Sequence, residues 1–243
     1  MQFSLATVKE KLLKENRFKI VFFGDSITST EWVHPNWREI IEYVLKGELE
    51  KQIGDWKISS WRITCINSGL DGATTDDYLA HLDSHVINFQ PQLLIWIVGS
   101  NDQLYKFGGK KHQVNVQKIV DILAPKMDYL IVCSDSTRLN DKANHIYENE
   151  YLKTLAQVSF PKNAIFVDLF RKYKQLDLKR FFTFISGGNE VAGMKPGDID
   201  FAHPNQLGNA YIAKIILEEA FQVKFDPEKY IQTTLSGQMY PSY

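Results

Sequence analysis

The chain predicts an α/β fold: a three-layer α/β/α sandwich with a parallel central sheet, flavodoxin-like. Three observations lead there. Short apolar runs of strand length alternate with longer segments of helical periodicity. One run, residues 93–98 (LLIWIV), is apolar throughout, the pattern of a strand covered on both faces. No Pro/Gly/Ser-rich linker divides the 243 residues, and their length and ordinary composition suit one large domain over residues 1–243. Strands alternating with helices imply parallel pairing with helices on both faces of the sheet.

Each element follows from its own pattern. Residues 1–17 mix apolar positions with Lys and Glu, which predicts an amphipathic N-terminal helix and not the uninterrupted apolar core of a signal peptide. Residues 19–23 (KIVFF) read as a buried strand ending in Gly-Asp. Residues 37–53 are helical, with Trp37, Ile40, Ile41, Val44 and Leu45 on one face. Residues 58–66, β-branched and aromatic, predict a second strand, and residues 76–89 a helix. After the strand at 93–98 come a helix at 114–123, a strand at 129–133 (YLIVC), a helix at 141–158, a short strand at 164–169 and a helix at 170–178. Residues 205–221 form the last helix, its stripe made of Leu207, Tyr211, Ile212, Ile215 and Ile216. The tail at 226–243 is polar with scattered aromatics. It is left as a segment that packs on the domain, joins a homo-oligomer contact or stays disordered.

Bulk properties exclude several functions. Lys and Arg number 28 against 29 Asp and Glu, a formal net charge of -1. Nucleic-acid binders carry a basic excess to neutralise phosphates, so no nucleic-acid partner is expected. No run reaches the roughly 18 apolar residues of a membrane span, and a cytoplasmic protein is expected. The two cysteines, Cys65 and Cys133, sit in strand-like runs and read as buried free thiols. His81 and His85 are spaced four apart on a helix, but without a third ligand candidate they read as surface residues, so no metal site is expected. His34, His112 and His145 read as solvent-facing or structural.

In parallel α/β folds, sites lie beyond the carboxyl ends of the strands. Four such segments carry chemistry. Gly24-Asp25-Ser26-Ile27-Thr28 puts a serine where a strand turns, beside free backbone N–H groups; a capping or turn serine reads equally well. Asn67-Ser68-Gly69-Leu70-Asp71-Gly72 suits a tight loop whose backbone approaches something closely. Gly99-Ser100-Asn101-Asp102 offers a side-chain amide to a developing oxyanion, or merely an Asn-Asp turn. Asp200-Phe201-Ala202-His203 brings a carboxylate and an imidazole within reach of one site, where the carboxylate would hold the imidazole's tautomer. Asn205 is a candidate cap for the helix that follows.

Together and in this order, these blocks resemble the SGNH hydrolase family, the GDSL-like esterases and lipases, from Gly24 to His203. The resemblance implies Ser26 as nucleophile with Asp200 and His203 completing a triad. It implies an oxyanion hole from the N–H of Ser26, the N–H of Gly72 and the amide of Asn101, with backbone carbonyls as further supports for His203. The function it implies is a serine esterase acting on a carboxylic ester through an acyl-serine intermediate, with no cofactor. The substrate is a small acyl ester, an acetylated carbohydrate, or a lipid or thioester. An acyltransferase using the same triad, and a non-catalytic binding module of the same fold, are the alternatives. Gly-x-Ser-x-Gly does not surround Ser26, which argues against the α/β-hydrolase superfamily. No Gly-x-Gly-x-x-Gly or Walker A pattern follows a strand. The loop at 180–197 is expected to wall the substrate pocket through Phe182 and Met194, and Trp32 and His34 are further candidates for lining the site.

Overall fold

Apolar runs with period-two alternation become five strands: β1 (Phe18–Gly24), β2 (Ile63–Gly69), β3 (Leu93–Ile97), β4 (Tyr129–Cys133) and β5 (Ala164–Val167). In the computed structural model, which describes residues 3–30, 32–187 and 193–243, they form one sheet in the order β2-β1-β3-β4-β5. Every pairing is parallel. Alternation then assigns each side chain to a face. Ile20, Phe22, Leu93, Ile95, Ile97 and Ile131 point to one apolar cluster. Val21, Phe23, Leu94, Trp96, Leu130 and Val132 point to the other. Burying one such side chain contributes about 1.5–3 kcal/mol, so a strand apolar on both faces is held from both sides.

Helices cover each face. α1 (Leu5–Glu15) and α3 (Trp37–Ile53) pack on the first cluster, and α2 (Ser26–Ser29) is a single turn following β1. α3 starts at Asn36, whose side chain accepts the N–H of Arg38 and Glu39 while Glu39 returns a bond to the Asn36 N–H; it stops at left-handed Gly54. α4 (Trp56–Arg62) leads into β2. α5 (Thr75–His85), α6 (Asn101–Leu104) and α7 (Gly109–Leu123) follow β2 and β3, with α5 and α7 on the second cluster. α8 (Asp141–Ile146) runs through a π-helical stretch, Tyr147–Leu152, into α9 (Lys153–Leu155). α10 (Leu169–Lys174) and α11 (Gln206–Ile216) return to the first face, with α12 (Pro227–Leu235) beyond them.

One strand departs from the sequence reading, and a segment that reading left open takes one of its forms. The second strand was expected at 58–66, but residues 56–62 are helical and the strand runs Ile63–Gly69. The Asp55 carboxylate accepts the Lys57 N–H and nucleates a helical turn, and this local cap outweighs a β-propensity that has no sheet partner there. The parallel register sets the strand's start by pairing Phe18 with Ile63. The tail at 226–243 folds back: α12 is capped by Asp226, the Tyr43 hydroxyl donates to the Pro241 carbonyl, and the Tyr243 hydroxyl donates to Glu48. Both cysteines are free, and burial pushes their thiols upward in pKa. Among the described residues, no helix is long and apolar enough to cross a membrane.

Candidate active site

β1 ends beside β2, with Gly24 paired to Gly69. The chain then turns at Asp25, whose carboxylate accepts the Ile27 N–H at 3.1 Å and caps α2. Ser26 is therefore the first helical residue, and its N–H belongs to the donors that a helix cannot satisfy internally. α2 lies so close to β2 that a Cβ on Gly69 would collide with the Ser29 backbone. Glycine there is a packing requirement, and it fixes the distance between the serine turn and the loop after β2.

His203 arrives from the far end of the chain. Its loop is pinned at three points: Asp200 N–H donates to the Phe184 carbonyl at 2.8 Å, Leu139 N–H to the Phe201 carbonyl at 3.0 Å, and Asn205 N–H to the Phe181 carbonyl at 2.7 Å. Asn205 also caps α11 through the Gly208 N–H. The result is a continuous relay. Ser26 Oγ lies 2.9 Å from His203 Nε2, and His203 Nδ1 lies 2.7 Å from Asp200 Oδ2. With the Nδ1 proton given to Asp200, Nε2 is left to accept the Ser26 hydroxyl proton. Asp200 Oδ1 accepts the N–H groups of Ala202 and His203. Burial pushes the Asp200 carboxyl up in pKa, but the hydrogen bond and charge of His203, with those two N–H groups, hold it below the usual carboxylate range. The half-exposed Trp32 ring stands edge-on to the His203 ring at 5.4 Å.

The three oxyanion candidates fare differently. The Ser26 N–H is at the helix start. Gly72 is exposed, with φ +69 in the loop after β2. Asn101 opens α6, but its amide is occupied: Nδ2 donates to the Ala73 carbonyl at 3.0 Å and to Asp25 Oδ2 at 3.2 Å. Its neighbour Asp102 ties this turn to α5 and α7, accepting from the Thr75 N–H, the Thr75 hydroxyl and His112 Nδ1. His112 is thus a buried structural residue.

Phe182 sits in the core cluster with Tyr173, Phe181 and Ala210 and not on an open pocket wall; the apolar face of the sheet claims it. Met194 is also buried but belongs to neither cluster, and residues 188–192 of the same loop lie outside the described residues. His34 is exposed and pairs with Glu39. His81 bonds the Asp77 carbonyl and His85 the Ser68 hydroxyl.

Sequence reasoning passed over a buried polar group beneath the site. Ser134-Asp135-Ser136-Thr137-Arg138 follows β4, so the strand-end rule that found Ser26 pointed there as well. Asp135 is 1% exposed. It accepts the Ser100 hydroxyl and the Ser136 N–H, and Arg138 lies 3.7 Å away. Asp25 is 2% exposed, and burial with the nearby Asp135 charge pushes its carboxyl up to about 7.

Comparisons with known proteins identify the family and the fold. The model of the GDSL-like Lipase/Acylhydrolase family matches residues 22–211. No curated protein matches the chain. Among solved structures, Axe2, an acetylxylan esterase from Geobacillus stearothermophilus, superposes with a TM-score of 0.63 at 18% identity, covering 86% of this chain and 95% of that one. LAE5, an alpha/beta hydrolase enzyme from the metagenome of Lake Arreo, Spain, superposes with a TM-score of 0.55 at 16% identity, covering 82% of this chain and 93% of that one. At such identities these two likenesses speak for the fold, while the family match spans most of the chain from the end of β1 through the loop that carries His203: the chain belongs to the GDSL-like lipase/acylhydrolase family and is a serine hydrolase of carboxylic esters.

Proposed function

We propose that the chain hydrolyses small acyl esters through an acyl-serine intermediate on Ser26, with His203 as its base and Asp200 holding the imidazole. The observation that carries this is the unbroken hydrogen-bonded line Ser26–His203–Asp200, at 2.9 and 2.7 Å. His203 Nε2 takes the hydroxyl proton as Ser26 Oγ bonds to the ester carbonyl carbon. The carbonyl π electrons move to its oxygen, which the Ser26 and Gly72 N–H groups and the Asn101 amide receive. Collapse expels the alcohol with the proton from His203. Water then repeats the sequence on the acyl-enzyme and restores the hydroxyl. Each oxyanion donor lowers the barrier by about 3–4 kcal/mol.

The acyl group we favour is acetyl, carried by a sugar. Two observations support this. Half-exposed Trp32 stands against His203, offering a flat apolar face where the alcohol part of a substrate would lie. The similar solved structures include acetylxylan esterases, and the catalytic mutants of that enzyme replace a serine, an aspartate and a histidine, the last two spaced three apart as Asp200 and His203 are.

The test is hydrolysis of p-nitrophenyl esters from acetate to long chains, and of acetylated xylo-oligosaccharides, by the wild type and Ser26→Ala. We expect acetate to be the best acyl group and the variant to lose all activity above background. Activity surviving in Ser26→Ala would overturn the nucleophile, and a preference for long chains would overturn the acetyl assignment.

A further inference from the structure

The Asn101 amide has two hydrogens, and both are taken, one by the Ala73 carbonyl and one by Asp25 Oδ2. An amide so held cannot donate to an oxyanion as well. One bond must open during turnover, and the bond to Asp25 is the one whose strength can change. A hydrogen bond to an ionised carboxylate is roughly twice as strong as one to a neutral acceptor.

The surroundings of Asp25 make that change accessible. From the segment after β4 come Asp135 and Arg138; from the loop before α11, His203; from α5, Tyr78. The Tyr78 hydroxyl is buried without a hydrogen-bond partner among the described residues. Gly99, at the end of β3, leaves the space: a Cβ there would run into the Asp25 carboxylate and lie 3.4 Å from the Tyr78 hydroxyl. Asp102 lies further off, tied to Thr75 and His112. Two buried carboxylates thus face a single guanidinium. Asp135 is the better placed to stay ionised, with Arg138 at 3.7 Å, the Ser100 hydroxyl and the Ser136 N–H all on it. Asp25 accepts, among the described residues, only the Ile27 N–H and the Asn101 amide, so it is the less firmly held of the two carboxylates.

We propose that Asp25 is a positioning residue: protonated, it releases the Asn101 amide to the oxyanion; ionised, it holds the amide back and sets a negative charge behind the reacting centre. The inference rests on the Ser26 reading above. It gives activity two limits. In acid, a base that already carries a proton cannot accept one from a serine hydroxyl. In base, Asp25 ionises and the Asn101 donor is withheld, so the rate falls again. The ionisation belongs in the neutral range, since burial and the Asp135 charge push the Asp25 carboxyl up to about 7.

The experiment is the rate of Ser26 labelling by a fluorophosphonate from pH 5 to 9.5, in the wild type, Asp25→Asn and Asp135→Asn, with circular dichroism at each pH. Labelling requires the serine, its base and the oxyanion donors but no particular acyl group. We expect the wild-type rate to rise and then fall about tenfold on the alkaline side. Asp25→Asn keeps the acid limb and loses the alkaline one. Asp135→Asn removes the like charge, so its alkaline limb moves to lower pH by about one unit. A wild-type profile with no alkaline fall overturns the proposal. So does an alkaline limb that persists in Asp25→Asn, even at a uniformly lower rate, because that is the behaviour of a merely structural residue. If Asp25→Asn does not fold, an unmoved limb in Asp135→Asn overturns it. Wild type that fails to label at every pH overturns the Ser26 nucleophile, and this inference with it; labelling with an unmoved limb overturns the inference alone.

Discussion

Asp200 places one carboxylate oxygen on His203 Nδ1 and the other on two backbone N–H groups. Asparagine in its place would present an amide N–H toward Nδ1 or lose the backbone bonds, and either choice favours the wrong imidazole tautomer. We expect Asp200→Asn to lower kcat by about 10⁴ with KM little changed, read from p-nitrophenyl acetate kinetics. The candidate site residues were legible because each stands out from its neighbours: Ser26 and Asn101 follow the apolar runs KIVFF and LLIWIV, and His203 lies three residues from an aspartate. What could not be read was occupancy. Nothing in the sequence says that the Asn101 amide is already held by Asp25, because Asp25 and Asn101 are 76 residues apart. Phe182 shows the opposite error. Its place among glycines suggested an open loop, yet it is 2% exposed in the core. Phe182→Ala should therefore cost about 3–5 kcal/mol of stability and leave the acyl-chain profile of the folded enzyme unchanged, which denaturant titration and the ester series would show.

At the scale of elements, β1, β3 and β4 were readable to within a residue or two because their apolar character is continuous and both faces are covered. β2 was not. It is an edge strand with β1 beside it and two exposed positions, so its hydrophobic pattern is diluted. A cap at Asp55 then decided the preceding seven residues for helix. The close seating of α2 on this strand has a measurable consequence. Gly69→Ala would push the Ser29 backbone and with it the turn that carries Ser26. We expect a stability loss of about 1–3 kcal/mol from overpacking, and, on the proposed role of Ser26, a fall in kcat of about 100-fold from displacing it by an ångström. A variant with normal kcat would show that α2 relaxes independently of the site.

Across the whole molecule, the titrating carboxylates pull stability in opposite directions with pH. Asp25 has its pKa raised from 3.8 to about 7. Between those values the folded state keeps a proton that the unfolded chain releases, so folding is progressively weakened as pH rises through that window. Asp200 has its pKa lowered, so its contribution is present above the ordinary carboxylate value and is lost as pH falls toward its folded value. Thermal melts of wild type and Asp25→Asn should therefore diverge as pH rises from 4 to 8, with the variant gaining on the wild type; parallel curves would mean that Asp25 is ionised throughout. The global architecture was legible because alternation of strand and helix leaves few right-handed ways to close a parallel sheet. The tail was not legible, because its ordering depends on Tyr43 and Glu48, nearly two hundred residues upstream.

Ser26 and His203 are joined by a hydrogen bond that spans 177 positions of the chain. A ribosome adding 5–20 residues per second takes roughly 10–35 s to travel that distance. For all of that time the nascent protein carries Ser26 without the imidazole that bonds it, while four of its five strands are still being added. The Ser26–His203 bond is thus a late contact of the growing polypeptide, and it arrives together with α11, the helix that follows His203. A chain released before residue 203 lacks that contact altogether.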